Sequence, residues 1–446
     1  MVEASISYGL NDRYQAVHKL AIPRSENMEP HDTVRVSVII PVFNAANYLH
    51  QCLDSVFSQT EDNIEVICID DGSTDDSLRI LNDYSSADGR LVVLHQDNQG
   101  GGAARNLGIG AARGEYLSFL DADDFFDSEL IKTAADALDA SRADIAVYRS
   151  WVFREEDQSV YDADWTYRTD LIPEQSVFTY RDMPDAIFNA FANVPWNKMF
   201  RSSFVRENHL QFQPIQRTND LLFVCSALVL ARGIVAINRH LAYYRMGNAS
   251  SCQATNDKAP LAFYEAFLAL KQFLVEQGLF KVLERSFMHH ALDGIVANLN
   301  SQNSLEGFRT IFHARMDFEE QFGIRKNADS TFDANQLSEY EDMLESDEAT
   351  FLYGRLKLVQ SQRDDAWRNG RKTRQRIRGL EEQSSKLQQE LADLKKERHR
   401  LKEENKMLNS SCKDLAQELT ALRSSRSYRI GKAVTAPFRR MRSYFS

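Results

Sequence analysis

The chain has 446 residues, of which 43% are hydrophobic and 26% charged, ordinary values for a globular protein long enough for two or three domains. Its formal net charge of −11 excludes an overall nucleic-acid footprint. No apolar run reaches the ~18 residues a spanning helix needs, residues 1–33 carry no basic-then-apolar leader pattern, and the five cysteines (52, 68, 225, 252, 412) contain no CxxC pair, so a soluble protein of a reducing cytosol is expected.

Residues 34–40 are a β-branched run that reads as a strand, and it ends at Pro41. Helical spacing follows over 44–60 (Tyr48, Leu49, Cys52, Leu53, Val56, Phe57). A second apolar strand, 65–69, runs into Asp70, Asp71, Gly72 and Ser73, and Thr74, Asp75 and Asp76 open a second helix with capping residues. Residues 91–95 form a third strand, 100–113 a Gly/Ala-rich helix, and 116–120 a fourth strand that ends abruptly in Asp121, Asp123 and Asp124. This alternation predicts a doubly wound, mostly parallel sheet. The loops at 41–44, 70–75 and 121–124 then share the edge where open α/β sheets bind ligands. Three adjoining carboxylates would repel and desolvate one another, so a divalent cation taking oxygen ligands, Mn²⁺ or Mg²⁺, is their natural partner.

From about 144 to 244 the pattern is mixed and aromatic-rich, with an apolar helix at 221–231, and 258–350 reads as helical and acidic. Leu380, Leu387, Leu394, Leu401, Leu408, Leu415 and Leu422 recur every seventh residue. With these at heptad position d, Ile377, Ser384, Leu391, Arg398, Asn405, Cys412 and Leu419 occupy position a. Glu390 and Glu397 at g then face Lys395 and Lys402 at e of a partner, and Asn405 at a favours a two-stranded register, so 377–422 is expected to form a parallel homodimeric coiled coil. Residues 426–446 carry six Lys/Arg, no acid and six interleaved large apolar residues, a pattern either for contact with a membrane surface or for a disordered basic tail. The basic stretch 368–378 ahead of the leucines imitates a DNA-binding zipper, but Gly379 weakens the helix there and the stretch nearly abuts Leu380, whereas a groove-spanning helix needs an uninterrupted lead.

The segments VSVIIPVFN (36–44), IDDGSTD (69–75), GGAARNLG (101–108) and LDADD (120–124) together resemble family-2 inverting glycosyltransferases, in the family's order and spacing. The resemblance implies a GT-A fold, Rossmann-like, over 34–250, a helical region over 251–355, the coiled coil within 356–425, and the basic aromatic tail 426–446 after an N-terminal extension 1–33. It implies transfer of a sugar from a UDP-sugar to a hydroxyl of a glycan or lipid-linked acceptor, in cell-surface polysaccharide synthesis at the inner membrane face. The alternative is an inactive relative that uses its coiled coil as a scaffold.

By that resemblance Pro41, Phe43, Asp70, Asp71, Arg105 and Asp121 bind the donor. Phe43 can stack on the base, Asp71 accepts the imide N–H of uracil, and Asp70 either joins it or holds the loop. Arg105 lies by the phosphates or ties the Asp cluster together. Asp121 would contact ribose or sugar hydroxyls, and Asp123 would ligate the metal. Downstream, TND (218–220) stands where such enzymes carry a Glu-Asp pair: Asp220 matches the general base, or else caps the helix that follows, and Asn219 replaces the usual Glu. Pro195-Trp-Asn-Lys198 and Tyr243-Tyr-Arg245 resemble acceptor-side segments, with Trp196 offering a sugar-stacking face.

Overall fold

The computed structural model describes residues 34–247, 256–329, 331–424 and 429–431. The extension 1–33 and nearly all of the basic tail lie outside the described residues. In chain order the first elements are β1 (Val36–Val42), α1 (Ala46–Phe57), β2 (Ile64–Asp70), α2 (Ser77–Ala87), β3 (Leu91–His95), α3 (Gly101–Ala111) and β4 (Tyr116–Phe119). They continue as β5 (Phe125–Phe126), α4 (Leu130–Ser141), β6 (Ile145–Arg154), β7 (Val160–Asp162), β8 (Val177–Phe178), β9 (Lys198–Arg201), α5 (Ser202–Glu207), α6 (Leu221–Leu230) and β10 (Ile234–Met246).

The strands form one sheet in the order β3-β2-β1-β4-β9-β6-β10-β5, with β7 added to β6 and β8 to β10. The four strands from β3 to β4 are parallel. β9 is antiparallel to both its neighbours, β4 and β6, and β5 is antiparallel to β10. The sheet is therefore mixed, and the mostly parallel expectation holds for its first half and again where β6 pairs with β10. The reason is topological: β9 returns from the long excursion between β6 and residue 197, and it enters the sheet from the opposite end.

β2 is buried along its whole length and β1 at all but one residue, as continuous apolar runs require when helices cover both faces of a sheet. On one face Val36, Val38, Ile40 and Val42 pack with Leu49, Leu53 and Val56 of α1 and with Leu130, Ala134 and Leu138 of α4. On the other face α3 lies against β1 so closely that a Cβ at Gly108 would collide with Ile39. There Phe119 also meets Phe200, Phe212 and Phe223 edge-on, at 5.1 to 5.8 Å between centroids. This aromatic nest seats α6, which is apolar all round and buried except at its ends.

Beyond the sheet come α7 (Ala262–Glu276), α8 (Phe280–Asn300), α9 (Leu305–His313), α10 (Arg315–Phe322), α11 (Ile324–Asn327), α12 (Ala334–Glu345) and α13 (Glu348–Ser424). α7 packs on both α6 and α8, so the helical region supports the helix that follows Asp220. The chain divides into two compact units between Phe351 and Leu352. In the second unit α13 continues through Gly370 and Gly379, so the weakening expected at Gly379 does not end the helix. Among the described residues no helix is long and apolar enough to cross a membrane.

Candidate active site

The site begins at the C-terminal ends of β1, β2 and β4. Pro41 lies beyond the last β1–β4 pair, Ile39 with Phe119. Asn44 adopts a left-handed φ of 50°, and its Oδ1 accepts from the backbone N–H of Thr74 at 2.8 Å, locking the first loop to the second. That turn leaves Phe43 half exposed, at 50%, at the sheet edge. Asp75 joins the two helix starts, accepting from Ser77 N at 2.9 Å and Ala46 N at 3.1 Å.

The two aspartates of the second loop divide their work. Asp70 is wholly buried, accepts from Ser73 N at 3.3 Å and pairs with His95 Nδ1 at 2.7 Å. It therefore holds the loop, one of the two roles that the sequence left open for it. Asp71 is also buried: Oδ1 accepts from Gln96 Nε2 (2.7 Å) and Gln99 N (2.8 Å), and Oδ2 from Gly100 N (2.9 Å). A carboxylate oxygen has two acceptor positions, so Oδ2 keeps one for a further donor. His95 and Gln96 were not singled out from sequence, and their signal is only their place at the end of β3.

The Gly/Ala-rich helix α3 explains its own motif residue by residue. Gly100, at φ 88°, aims its N–H at Asp71. Gly102 lets the 213–219 loop approach, because a Cβ there would collide with the carbonyl of Gln213 and stand 3.0 Å from Asn219 Cβ. Asn106 clasps Phe212 twice, donating to its carbonyl and accepting from its N–H at 2.8 Å each. Arg105, 8% exposed, donates to Asp121 Oδ1 at 2.6 Å and to Asn219 Oδ1 at 3.1 Å, and lies 5.3 Å over the Phe212 ring. Of its two expected places, the structure puts it on the carboxylates.

The 121–124 loop has a second clamp, Arg245 of β10, which is buried. Its backbone N–H donates to Asp124 Oδ1 (2.8 Å), its Nε to the Asp123 carbonyl (2.7 Å) and its NH2 to Gln51 Oε1 (2.5 Å), and it pairs with Glu155. Burial, with Asp123 and Asp121 nearby, pushes the Asp124 carboxyl well above the usual carboxylate range. Asp121 and Asp123 remain half-buried and reach the edge. Among the described residues no three side chains form a ready-made metal cage. The oxygen-only donors nevertheless fit Mg²⁺ or Mn²⁺, which take one or two carboxylates and complete their shell with substrate phosphates.

Asp220 immediately precedes α6, yet its side chain makes no capping hydrogen bond. Burial pushes this half-buried carboxyl up to about 6, opposed by the Arg105 charge, raised further by Asp121 and lowered by Lys198. Lys198 is wholly buried and donates to the carbonyls of Ala192 (2.7 Å) and Val194 (2.8 Å) and to Asn197 Oδ1 (2.7 Å). Burial lowers its pKa to about 7. Its sequence signal was a lone charge inside the run Trp196 to Phe200. Trp196 corrects the expectation of a stacking face: it is 2% exposed and its ring lies parallel to Tyr244 at 5.3 Å.

A family model described as Glycosyl transferase family 2 matches residues 37–208. EpsH of Bacillus subtilis (strain 168) is 33% identical over 257 residues, covering 54% of this chain and 70% of that protein. The glycosyltransferase GlyG of Streptococcus pneumoniae serotype 4 is 33% identical over 219 residues, 48% of this chain and 72% of its own. The crystal structure of S. aureus TarS 1–349 in complex with UDP-GlcNAc aligns with a TM-score of 0.56 at 20% identity, over 71% of this chain and 89% of that one. Sheet, motifs and relatives define a glycosyltransferase. This chain belongs to glycosyltransferase family 2.

The Arg105 fork makes a direct prediction. In Arg105→Met, Asp121 and Asn219 each lose a hydrogen bond to a charged donor, and stability in urea should fall by about 1–3 kcal/mol. Removing the guanidinium also removes the charge that opposes burial at Asp220. The Asp220 carboxyl, followed by ¹³C NMR, should then titrate above its wild-type value of about 6.

Proposed function

We propose that the chain transfers a sugar from a UDP-sugar to a hydroxyl of a glycan or lipid-linked acceptor, with inversion at the anomeric carbon. One observation carries the reading: Arg105 ties Asp121 to Asn219, so that the carboxylates after β4 and the uncapped carboxyl of Asp220 share one sheet edge. A base with a pKa near 6 suits proton removal at neutral pH. In this reading Phe43 stacks on the base, and the open acceptor position of Asp71 takes the uracil imide. Asp121 orients hydroxyls of the donor. Asp220 takes the proton of the acceptor hydroxyl as its oxygen attacks the anomeric carbon from the face opposite UDP. The new C–O bond forms as the bond to the β-phosphate oxygen breaks, and UDP leaves with that electron pair. A bound Mn²⁺ or Mg²⁺, held by Asp123 and the diphosphate, would stabilise the leaving group's charge.

The same reading gives α13 an assembly role. Leu401, Leu408, Leu415 and Leu419 are each more than half exposed, a stripe at the predicted a and d positions. Burying it against a second copy in parallel register removes that apolar area from water. Both 426–446 tails then emerge at one end of the coiled coil, where basic residues worth about 1 kcal/mol each near anionic lipid act together.

Asp220→Asn keeps the side chain's shape but not its basicity. Its turnover should fall by ~10²-fold or more with UDP affinity nearly unchanged. Wild-type kcat/KM should rise with pH through about 6, as Asp220 loses its proton, and then level off; the variant should lack that limb. Activity retained within a few-fold would place the base elsewhere. Asp123→Ala should abolish Mn²⁺-dependent turnover of UDP-sugar while thermal unfolding is unchanged or improved, because one of several like charges is gone. Truncation after Gln375 should convert a dimer into a monomer by light scattering and abolish sedimentation with anionic vesicles. A full-length chain that is monomeric at micromolar concentration would end the assembly proposal.

A further inference from the structure

Successive side chains of β10 point to opposite faces of the sheet, so Tyr243 and Arg245 share one face and Tyr244 and Met246 the other. Tyr243 and Arg245 go to Phe125 and the carboxylate loop. On the other face Tyr244 carries an aromatic cluster. Trp196 lies parallel to it, and Trp165 stands edge-on to both, 5.9 Å from Tyr244 and 6.4 Å from Trp196. One step outward, the Tyr161 hydroxyl reaches Met246 Sδ at 3.4 Å.

Trp196 is buried, but Trp165 is 46% and Tyr161 40% exposed. Six large hydrophobic side chains are exposed within residues 34–247, and three of them, Tyr161, Trp165 and Met246, gather here. Such concentration on an otherwise well-buried sheet domain marks a contact surface.

The patch is held in place. Trp165 occupies the short 3₁₀ turn Asp164–Thr166. The Thr166 hydroxyl donates to the Ala163 carbonyl at 2.7 Å, and the Thr166 carbonyl accepts from Asn197 Nδ2 at 3.2 Å and Ala192 N at 3.3 Å. Those anchoring segments lead directly to the site. Trp196 is two residues from Lys198, whose charge acts on Asp220, and Tyr244 precedes Arg245, which holds Asp123 and Asp124. In the sheet order Phe43 and Asp71 follow β1 and β2, Asp121 follows β4, and the aromatic patch rides on β6 and β10 beyond it. The patch and the donor loops thus flank the carboxylates from opposite sides.

We infer that Trp165, with Tyr161 beside it, is the platform on which a neutral sugar ring of the acceptor stacks; the inference rests on the transferase reading above. A pyranose presents an apolar C–H face ringed by hydroxyls. An exposed indole bordered by the solvent-facing carboxylate of Asp164 matches both features, and that carboxylate disfavours a phosphorylated ring.

The test uses the full chain and neutral probes: β-linked tetrasaccharides of glucose, galactose and N-acetylglucosamine, titrated by saturation-transfer NMR. At least one should bind the wild type saturably. Trp165→Ala should weaken that binding about tenfold, the equivalent of ~1.4 kcal/mol, while Trp165→Phe should keep it within about threefold because a stacking face remains. Circular dichroism melts of both variants establish that they fold. Equal binding by Trp165→Ala and wild type, or binding of none of the three by the wild type, overturns the platform. UDP binding in Mn²⁺, measured separately by calorimetry, tests the transferase reading: its absence from the wild type would remove that reading whatever the tetrasaccharides do.

Discussion

The site depends on one guanidinium. Asp121 leaves the end of β4 and Asn219 belongs to the turn before α6, and no strand pairing joins these two segments. Arg105 bonds to both, at 2.6 and 3.1 Å, from a helix that packs on the opposite face of the sheet from α1 and α4. At 8% exposure its hydrogen bonds face little competition from water, so they fix geometry as well as charge. The other features of α3 serve the same end. Gly102 permits the approach, Asn106 fixes Phe212 beneath the guanidinium, and Gly108 lets the helix press on Ile39. A helix rich in small residues, weak by propensity, is used here because it must be thin.

The second clamp works through the backbone. Arg245 engages the carbonyl of Asp123 and, by its own N–H, the carboxyl of Asp124, while its guanidinium lies over Tyr48, Phe125 and Phe153. Asp124 is thereby held inside, where burial favours its neutral form, and Asp121 and Asp123 are turned to the edge. Three adjacent aspartates thus avoid mutual repulsion by differing in environment. One is buried where its charged form is disfavoured, one is paired with Arg105, and one stands at the rim.

Much of this was legible in the sequence because it is local. Apolar runs that end in Asp-Asp-Gly-Ser and Asp-Ala-Asp-Asp locate strand ends, and strand ends in an alternating α/β pattern share an edge. Heptad leucines likewise name a helix face without any tertiary information. What failed depended on neighbours from far along the chain. Whether Trp196 shows a ring face to water is decided by Tyr244, and how Asp70 and Asp71 are held is decided by His95, Gln96 and the start of α3. The antiparallel insertion of β9 was hidden for the same reason, since the direction of a four-residue strand leaves no mark in its composition. Trp165 had no periodic context at all, being an aromatic in an irregular stretch.

Asn219 then acquires a physical meaning. By resemblance a Glu is usual there, and a carboxylate at that position would take a full share of the Arg105 charge and set a like charge beside Asp220. An amide oxygen accepts the same hydrogen bond without adding charge. Arg105 is left to divide its field between Asp121, which it contacts, and Asp220, whose pKa it lowers against burial. The neutral neighbour therefore keeps the carboxyl near 6 rather than higher, so that at neutral pH Asp220 is largely ionised and able to accept a proton. The departure from the family's pattern keeps the hydrogen bond to Arg105 and shifts the electrostatic balance toward an ionised Asp220.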